Sequence, residues 1–178
     1  MPVFETERLL LREFAPSDWD ALNAIVTEPA VTRYTHFGGW DERKRRAWLA
    51  LMIAEAPIPY RNHWAITLRG SGRLIGWLFI GCPADEVMQG TRGCGYALDP
   101  RYWGQGYMPE ALRAAIAYEF AAQGAQRIVA ECDTENAASA RVMQKAGMTF
   151  VGRFYDADFE GTWAERDHYE ISAPATGG

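Results

Sequence analysis

Gly95-Tyr96-Ala97-Leu98-Asp99-Pro100-Arg101-Tyr102-Trp103-Gly104-Gln105-Gly106-Tyr107-Met108-Pro109-Glu110 is the stretch on which the fold turns. Its first residues close an apolar, strand-like segment that stops at Asp99-Pro100, since proline cannot continue a ladder. A loop containing Gly104 and Gly106 follows. Met108, Leu112, Ile116 and Phe120 then recur every fourth residue, and Ala111 and Ala115 widen the stripe, so the loop feeds directly into an amphipathic helix. Glycines let backbone approach a ligand closely and turn several N–H groups the same way. The helix start adds unpaired donors and a positive dipole end. Together these make an anion site suited to a pyrophosphate, although a tight turn capping a core helix has the same spacing. The loop lacks the third glycine of a dinucleotide fingerprint and the Gly-Lys-Ser/Thr of a Walker loop.

Upstream, Arg8 to Arg12 reads as a first strand. Ser17, Asp18 and Asp20 start a helix carrying Leu22, Ile25 and Val26, and a second helix over 41–56 begins at Asp41. Its Arg43, Lys44, Arg45 and Arg46 read as a solvated face. Residues 63–68 and 73–80 flank Gly70-Ser71-Gly72 as a hairpin, and 93–98 is a further strand. Downstream, Gly124 ends the long helix and 127–132 is a strand. Asn136 caps a helix with the stripe Ala138, Val142 and Ala146, which Gly147 ends. Strands at 149–156 and 163–171 complete the order β-α-α-β-β-β-α-β-α-β-β. That order predicts an α/β domain with a mixed, mostly antiparallel central sheet and flanking helices. On this reading residues 1–172 are expected to form one domain and 173–178 a flexible tail.

The chain of 178 residues is 48% hydrophobic and 23% charged, an ordinary globular balance. A formal net charge of −5 argues against general nucleic-acid binding, which needs a basic face, and suits a cationic substrate. Cys82, Cys94 and Cys132 lack paired spacing and read as free thiols of a reducing cytoplasm. The longest apolar run, Leu74 to Cys82, is too short to span a bilayer, so no membrane is expected. His36, His63 and His168 lack metal-ligand spacing, so no metal is expected either. Trp40, Trp48, Trp77 and Trp163 are core candidates, with Trp40 also a candidate border of an acceptor pocket.

Arg101-x-x-Gly104-x-Gly106 resembles the Q/R-x-x-G-x-G/A signature of the GCN5-related N-acetyltransferases (GNAT), and the wider string resembles the branch of ribosomal-protein N-terminal acetyltransferases. Supporting segments occur in family order across residues 4–170. They are Thr6-Glu7-Arg8-Leu9-x-Leu11-Arg12, Leu74-Ile75-Gly76, Gly95-Tyr96-x-Leu98, Trp103-Gly104-Gln105-Gly106-Tyr107-Met108, Asn136-x-x-Ser139 and Lys145-x-Gly147-Met148. The resemblance implies a strand ending at Leu98 that splays from the one starting at Arg127, opening a cofactor slot. It implies that Tyr96, Ala97 and Leu98 hold the pantetheine arm through their backbone. The pyrophosphate falls to the backbone of Trp103, Gly104, Gln105, Gly106, Tyr107 and Met108, with charge added by Arg101. Asn136 reaches the pantetheine, Ser139 serves as general acid toward the departing thiolate, and backbone N–H groups freed by a bulge near Leu98 polarise the carbonyl.

The activity so implied is transfer of an acetyl group from acetyl-CoA, or of another acyl group such as succinyl, to an amine-bearing acceptor, either a protein N-terminus or a small molecule. The enzyme would be a monomer or a homodimer. Where relatives often carry a glutamate base this chain has Gly93. Glu131, Asp133, Asp158 and Glu160 are the remaining acids to consider. A weak base suffices for an α-amine, with a pKa near 7.7–8.0, better than for a lysine near about 10.4. The same glycine keeps open a non-catalytic acyl-CoA-binding module.

Overall fold

The computed structural model describes residues 3–56, 61–81, 90–157 and 163–174. The chain starts with β1 (Phe4–Glu5), β2 (Leu9–Arg12), α1 (Trp19–Val26), α2 (Pro29–Thr32) and α3 (Glu42–Glu55). The centre is β3 (Arg61–Leu68), β4 (Leu74–Gly81), β5 (Thr91–Leu98) and α4 (Tyr107–Ala122). It closes with β6 (Arg127–Asp133), α5 (Ala137–Lys145), β7 (Thr149–Ala157) and β8 (Trp163–Ser172). The strands form one sheet in the order β1-β2-β3-β4-β5-β6-β8-β7, in which β5 and β6 are the parallel pair. A crossover through α4 is what makes that pair parallel, whereas β2–β3 and β6–β8 pair antiparallel across intervening elements and the other antiparallel pairs join consecutive strands.

The predicted elements are present, with ends shifted by a residue or two. Two short pieces are added: β1, whose Phe4 and Glu5 pair with Leu11 and Leu10, and α2, a single turn with Pro29 in its first position. Neither is long enough to carry a periodic signal. The predicted caps are in place. Asp41 accepts from the Lys44 amide at 2.7 Å, and Gly124 and Gly147 follow their helices with positive φ of 67° and 96°.

Each face of the sheet has its own core. α4 and α5 cover one face, the back, over Leu9, Leu11, Trp64, Leu78, Ile80, Ile128 and Met143. α1 and α3 cover the other, the front, over Phe14, Leu22, Phe37, Met52 and Trp77. β4 changes face partway along. Its register with β3 skips Ile75, because Ile66 pairs with Gly76 while Thr67 pairs with Leu74. This bulge sends Leu74 to the front core and Ile75 to the back core. Trp163 corrects the sequence reading: it is 60% exposed, on the hairpin of the edge strand β7. Trp77 is buried, whereas Trp40 and Trp48 lie half-buried against Phe37. The basic face of α3 is occupied locally, Arg45 on Asn23 and Arg46 on Glu42. Among the described residues no helix is long and apolar enough to cross a membrane.

Candidate active site

β5 and β6 pair only at their beginnings, through Thr91–Arg127, Arg92–Ile128 and Gly93–Val129. Beyond Gly93 the two strands diverge, which leaves a slot between residues 94–98 and 130–133. On its other edge β5 stays in continuous register with β4 from Gly93 to Leu98, and the Asp99 amide donates to the Ile75 carbonyl at 2.8 Å. Backbone groups alternate along a strand, so those of Cys94, Tyr96 and Leu98 face the slot. The expected bulge near Leu98 is absent from this register. Divergence of β6 does the work of freeing the amides.

Gly76 fixes how closely β4 and β5 approach. A Cβ there would lie 2.5 Å from the Ala97 carbonyl oxygen and 2.8 Å from Leu98 Cδ1. That is the physical content of the Leu74-Ile75-Gly76 segment.

At the wide end of the slot the chain turns through Pro100–Tyr102 into the glycine loop. Gly104 and Gly106 have φ of 75° and 81°, and Gly106 is the N-cap of α4. The Trp103 amide is used on the Pro100 carbonyl at 3.1 Å, and its indole N–H donates to the Leu98 carbonyl at 2.7 Å. Trp103 therefore ties the loop to the strand end. Among the described residues, the amides of Gly104, Gln105, Gly106, Tyr107 and Met108 have no recorded acceptor, and helix geometry leaves the first of α4 unpaired. Met108 keeps its side chain in the core at 4% exposure, so only its backbone faces the loop.

The opening segment turns out to grip this loop. Thr6 Oγ1 and the Arg8 amide donate to Glu110 Oε1, at 2.5 and 3.0 Å, and Arg8 Nε donates to Glu110 Oε2 at 2.7 Å. Arg8 Nη1 donates to the Gln105 carbonyl at 2.9 Å, and its guanidinium lies 4.2 Å from the centre of the Tyr107 ring. Burial opposes the charge on Glu110, but the bonds from Thr6 and Arg8 outweigh it and hold the carboxyl below its ordinary range. Sequence reasoning matched the segment as a motif without finding this role. An arginine and a glutamate about a hundred positions apart carry no local signal of contact.

Arg101 Nε and Nη2 both bond Asp99, whose carboxyl also accepts from the Arg101 amide at 3.0 Å. These bonds hold Asp99 below the usual carboxylate range. The Arg101 charge is thus partly balanced within the turn.

Across the slot from β5, α5 starts just past the end of β6. The Asn136 side-chain oxygen accepts from the Ser139 amide at 3.1 Å, as a cap should, which leaves its NH₂ group available. The Ser139 hydroxyl does not cap. It lies 2.9 Å from the hydroxyl of Tyr96, which is also 3.3 Å from the Ser139 carbonyl. Burial pushes the Tyr96 phenol well above its ordinary value, so it stays protonated.

Burial also pushes Cys94 up to about 12 and Cys132 up to about 11, and both are free thiols. A thiol so raised is a poor nucleophile. Cys82, Asp158 and Glu160 lie outside the described residues. Glu131 and Asp133 face the front, because Ile128, Ala130 and Cys132 enter the back core. His36 packs on Phe37 and Trp40. His63 lies 3.3 Å from Glu55, and burial lowers its pKa despite that carboxylate. Among the described residues no group of three or more His, Cys, Asp or Glu is placed to hold a metal ion.

Residues 8–149 match the family described as the acetyltransferase (GNAT) domain. The chain is 30% identical over 167 residues to the uncharacterized N-acetyltransferase YnaD of Bacillus subtilis, covering 93% of this chain and 94% of that protein. A GNAT-family acetyltransferase structure from Bacillus anthracis superposes with a TM-score of 0.82 at 28% identity, over 96% of this chain and 98% of that one. RimL, a ribosomal-protein alpha-N-acetyltransferase solved in complex with coenzyme A, superposes with a TM-score of 0.83 at 20% identity, over 97% and 98% of the chains.

Proposed function

The chain belongs to the GNAT acetyltransferase family, whose members use acetyl-CoA, and from that premise we propose that it moves an acetyl group from acetyl-CoA to a primary amine by direct attack on the thioester. The observation carrying this reading is the continuity of the slot. It leads from the amides of residues 104–108, past the slot-facing backbone of Tyr96 and the Leu98 amide, to the paired hydroxyls of Tyr96 and Ser139.

In this reading the loop amides and the N-terminal dipole of α4 hold the pyrophosphate, with Trp103 and Arg101 shaping the loop that presents them. The slot-facing backbone of Tyr96 and Leu98 and the Asn136 NH₂ hydrogen-bond the pantetheine, while Ala97 packs its side chain into the front core. The β5 amides also polarise the thioester carbonyl as it becomes an oxyanion. Ser139 gives a proton to the departing thiolate, and the buried Tyr96 phenol orients that hydroxyl.

The acceptor is a cationic amine drawn to an acidic chain. An α-amine or another amine of lowered pKa has the larger neutral fraction at pH 7 and needs less help from a base. RimL acts on a ribosomal protein, and at its level of identity it speaks for the fold alone.

The test is thiol release from acetyl-CoA and from succinyl-CoA against a panel of small amines and short peptides with free N-termini. Turnover of acetyl-CoA with one acceptor class is the expected result. A preference for succinyl-CoA would correct the donor. Tight CoA binding with no turnover on any amine would make the protein a binding module instead.

A further inference from the structure

The Arg8 guanidinium touches the glycine loop and the helix behind it at once. Nε and Nη2 meet Glu110 Oε2 at 2.7 and 2.6 Å, and Nη1 donates to the Gln105 carbonyl at 2.9 Å. The Tyr107 ring lies against its flat face, 4.2 Å from the ring centre.

The Gln105 carbonyl shares its peptide with the Gly106 amide. That peptide is trans and planar, so holding the oxygen toward Arg8 points the Gly106 N–H away from Arg8. Among the described residues no backbone acceptor pairs with that N–H. Donors are scarce at this helix start. Gly106 is the N-cap and Pro109, in the third helical position, has no N–H, so Gly106, Tyr107 and Met108 supply all of them.

Gly106 is also where this peptide turns over most easily. Rotating a peptide plane changes ψ of the residue before it and φ of the residue after it, and glycine accepts either sign of φ. Gly106 stands at φ 81° and has no side chain to resist a turn that would carry its N–H to the other side. A Cβ there would lie 3.4 Å from Arg8 Nη2, so the arginine packs against the bare Cα. Arg8 is the group that holds the Gln105 oxygen in place. Its charge is met by Glu110, in the first turn of α4, through two bonds. Little net charge therefore reaches the loop from this pair. Its contribution is direction.

We propose that Arg8 is a positioning residue for the donor's pyrophosphate: by holding the Gln105 carbonyl it keeps the Gly106 amide turned toward the phosphates, without touching them itself. This rests on the acetyl-transfer reading above. A lysine at position 8 keeps the charge, but a single ammonium lacks the planar fork that spans Glu110 and Gln105 together.

The experiment compares the parent protein with Arg8→Lys and Arg8→Ala on two donors, acetyl-CoA and S-acetylpantetheine, with the same amine acceptor. The second donor keeps the thioester and the pantetheine arm and lacks the pyrophosphate. Both variants raise the KM for acetyl-CoA about tenfold, hold kcat within about twofold, and leave kcat/KM for S-acetylpantetheine within about twofold of the parent. Turnover of the short donor at the parent's rate also shows that a variant is folded. An equal loss with both donors would reduce Arg8 to a contact that holds the fold. Full activity of Arg8→Lys with acetyl-CoA would make the charge, not the fork, its contribution. Either result overturns the assignment and leaves acetyl transfer intact. Thiol release from neither donor by the parent, with any amine of the panel, would overturn the acetyl-transfer reading and this assignment with it.

Discussion

The phenol of Tyr96 on β5 lies 2.9 Å from the hydroxyl of Ser139 in the first turn of α5, and the two close the back of the slot together. Ser139 is held from its amide side by Asn136, so one cap fixes the helix start and aims the hydroxyl. Ser139→Ala should lower kcat about a hundredfold with little change in the KM for acetyl-CoA. Tyr96→Phe keeps the ring and removes the hydroxyl, and should cost only about tenfold in kcat. Steady-state kinetics decide between them: a larger loss in Tyr96→Phe than in Ser139→Ala would make the phenol the proton donor.

Glu110 joins the start of the chain to the glycine loop. Removing its carboxylate frees Arg8 and Thr6 and loosens the start of α4. Glu110→Ala should raise the KM for acetyl-CoA roughly tenfold, about 1.4 kcal/mol in binding, with a smaller effect on kcat. Equilibrium binding of CoA to the variant checks this independently of any acceptor. Unchanged affinity would show that the loop holds its shape without the clamp.

Glu119 faces the core of α4 with no exposed surface, bonded by Asn62 Nδ2 and near Arg92. Burial raises its carboxyl to about 7 from an ordinary 4.5, against the smaller pull of Asn62 and Arg92. The folded chain therefore keeps this proton at pH values where the unfolded chain has lost it. Its contribution to stability is full below the ordinary carboxylate range and is lost as pH rises through about 7. Glu119→Gln should abolish that fall and stabilise the protein at pH 8 by on the order of 2 kcal/mol. Chemical denaturation from pH 4.5 to 8 measures it, and parallel curves for parent and variant would refute it.

Gly76→Ala drives a methyl group into the Ala97 carbonyl, which is backbone and cannot swing aside. The two strands must part, so the variant should lose about 2–4 kcal/mol of stability. Because β5 carries the slot edge, CoA affinity should fall with it. Gly104→Ala is a useful contrast, with a strained φ of 75° but open space around the Cβ, and should act on the loop more than on the sheet.

Much of this was legible in the residues. The helix stripes, the hairpin glycines and the caps at Asp41, Asn136, Gly124 and Gly147 are local features, and local physics places them within a residue or two. The glycine loop was readable for the same reason, since two positive-φ glycines before an amphipathic helix act over only a few residues. β1 and α2 were not readable, because two paired residues or a single turn have no period. Nor was the placement of Trp163, since an aromatic in an alternating strand looks the same whether its face is covered or bare.

The sequence by itself determined the element order, the parallel crossover through α4, and the two-glycine loop at the head of α4. The tertiary structure decided the rest: which strands part and where, that Arg8 grips Glu110, that Tyr96 meets Ser139, and that Glu131 shares a face with Gly93. The division follows from range. Caps, turns and stripes are set by groups a few residues apart, whereas a pairing between distant residues depends on strand register and on which face of the sheet a helix covers, and no local pattern encodes either.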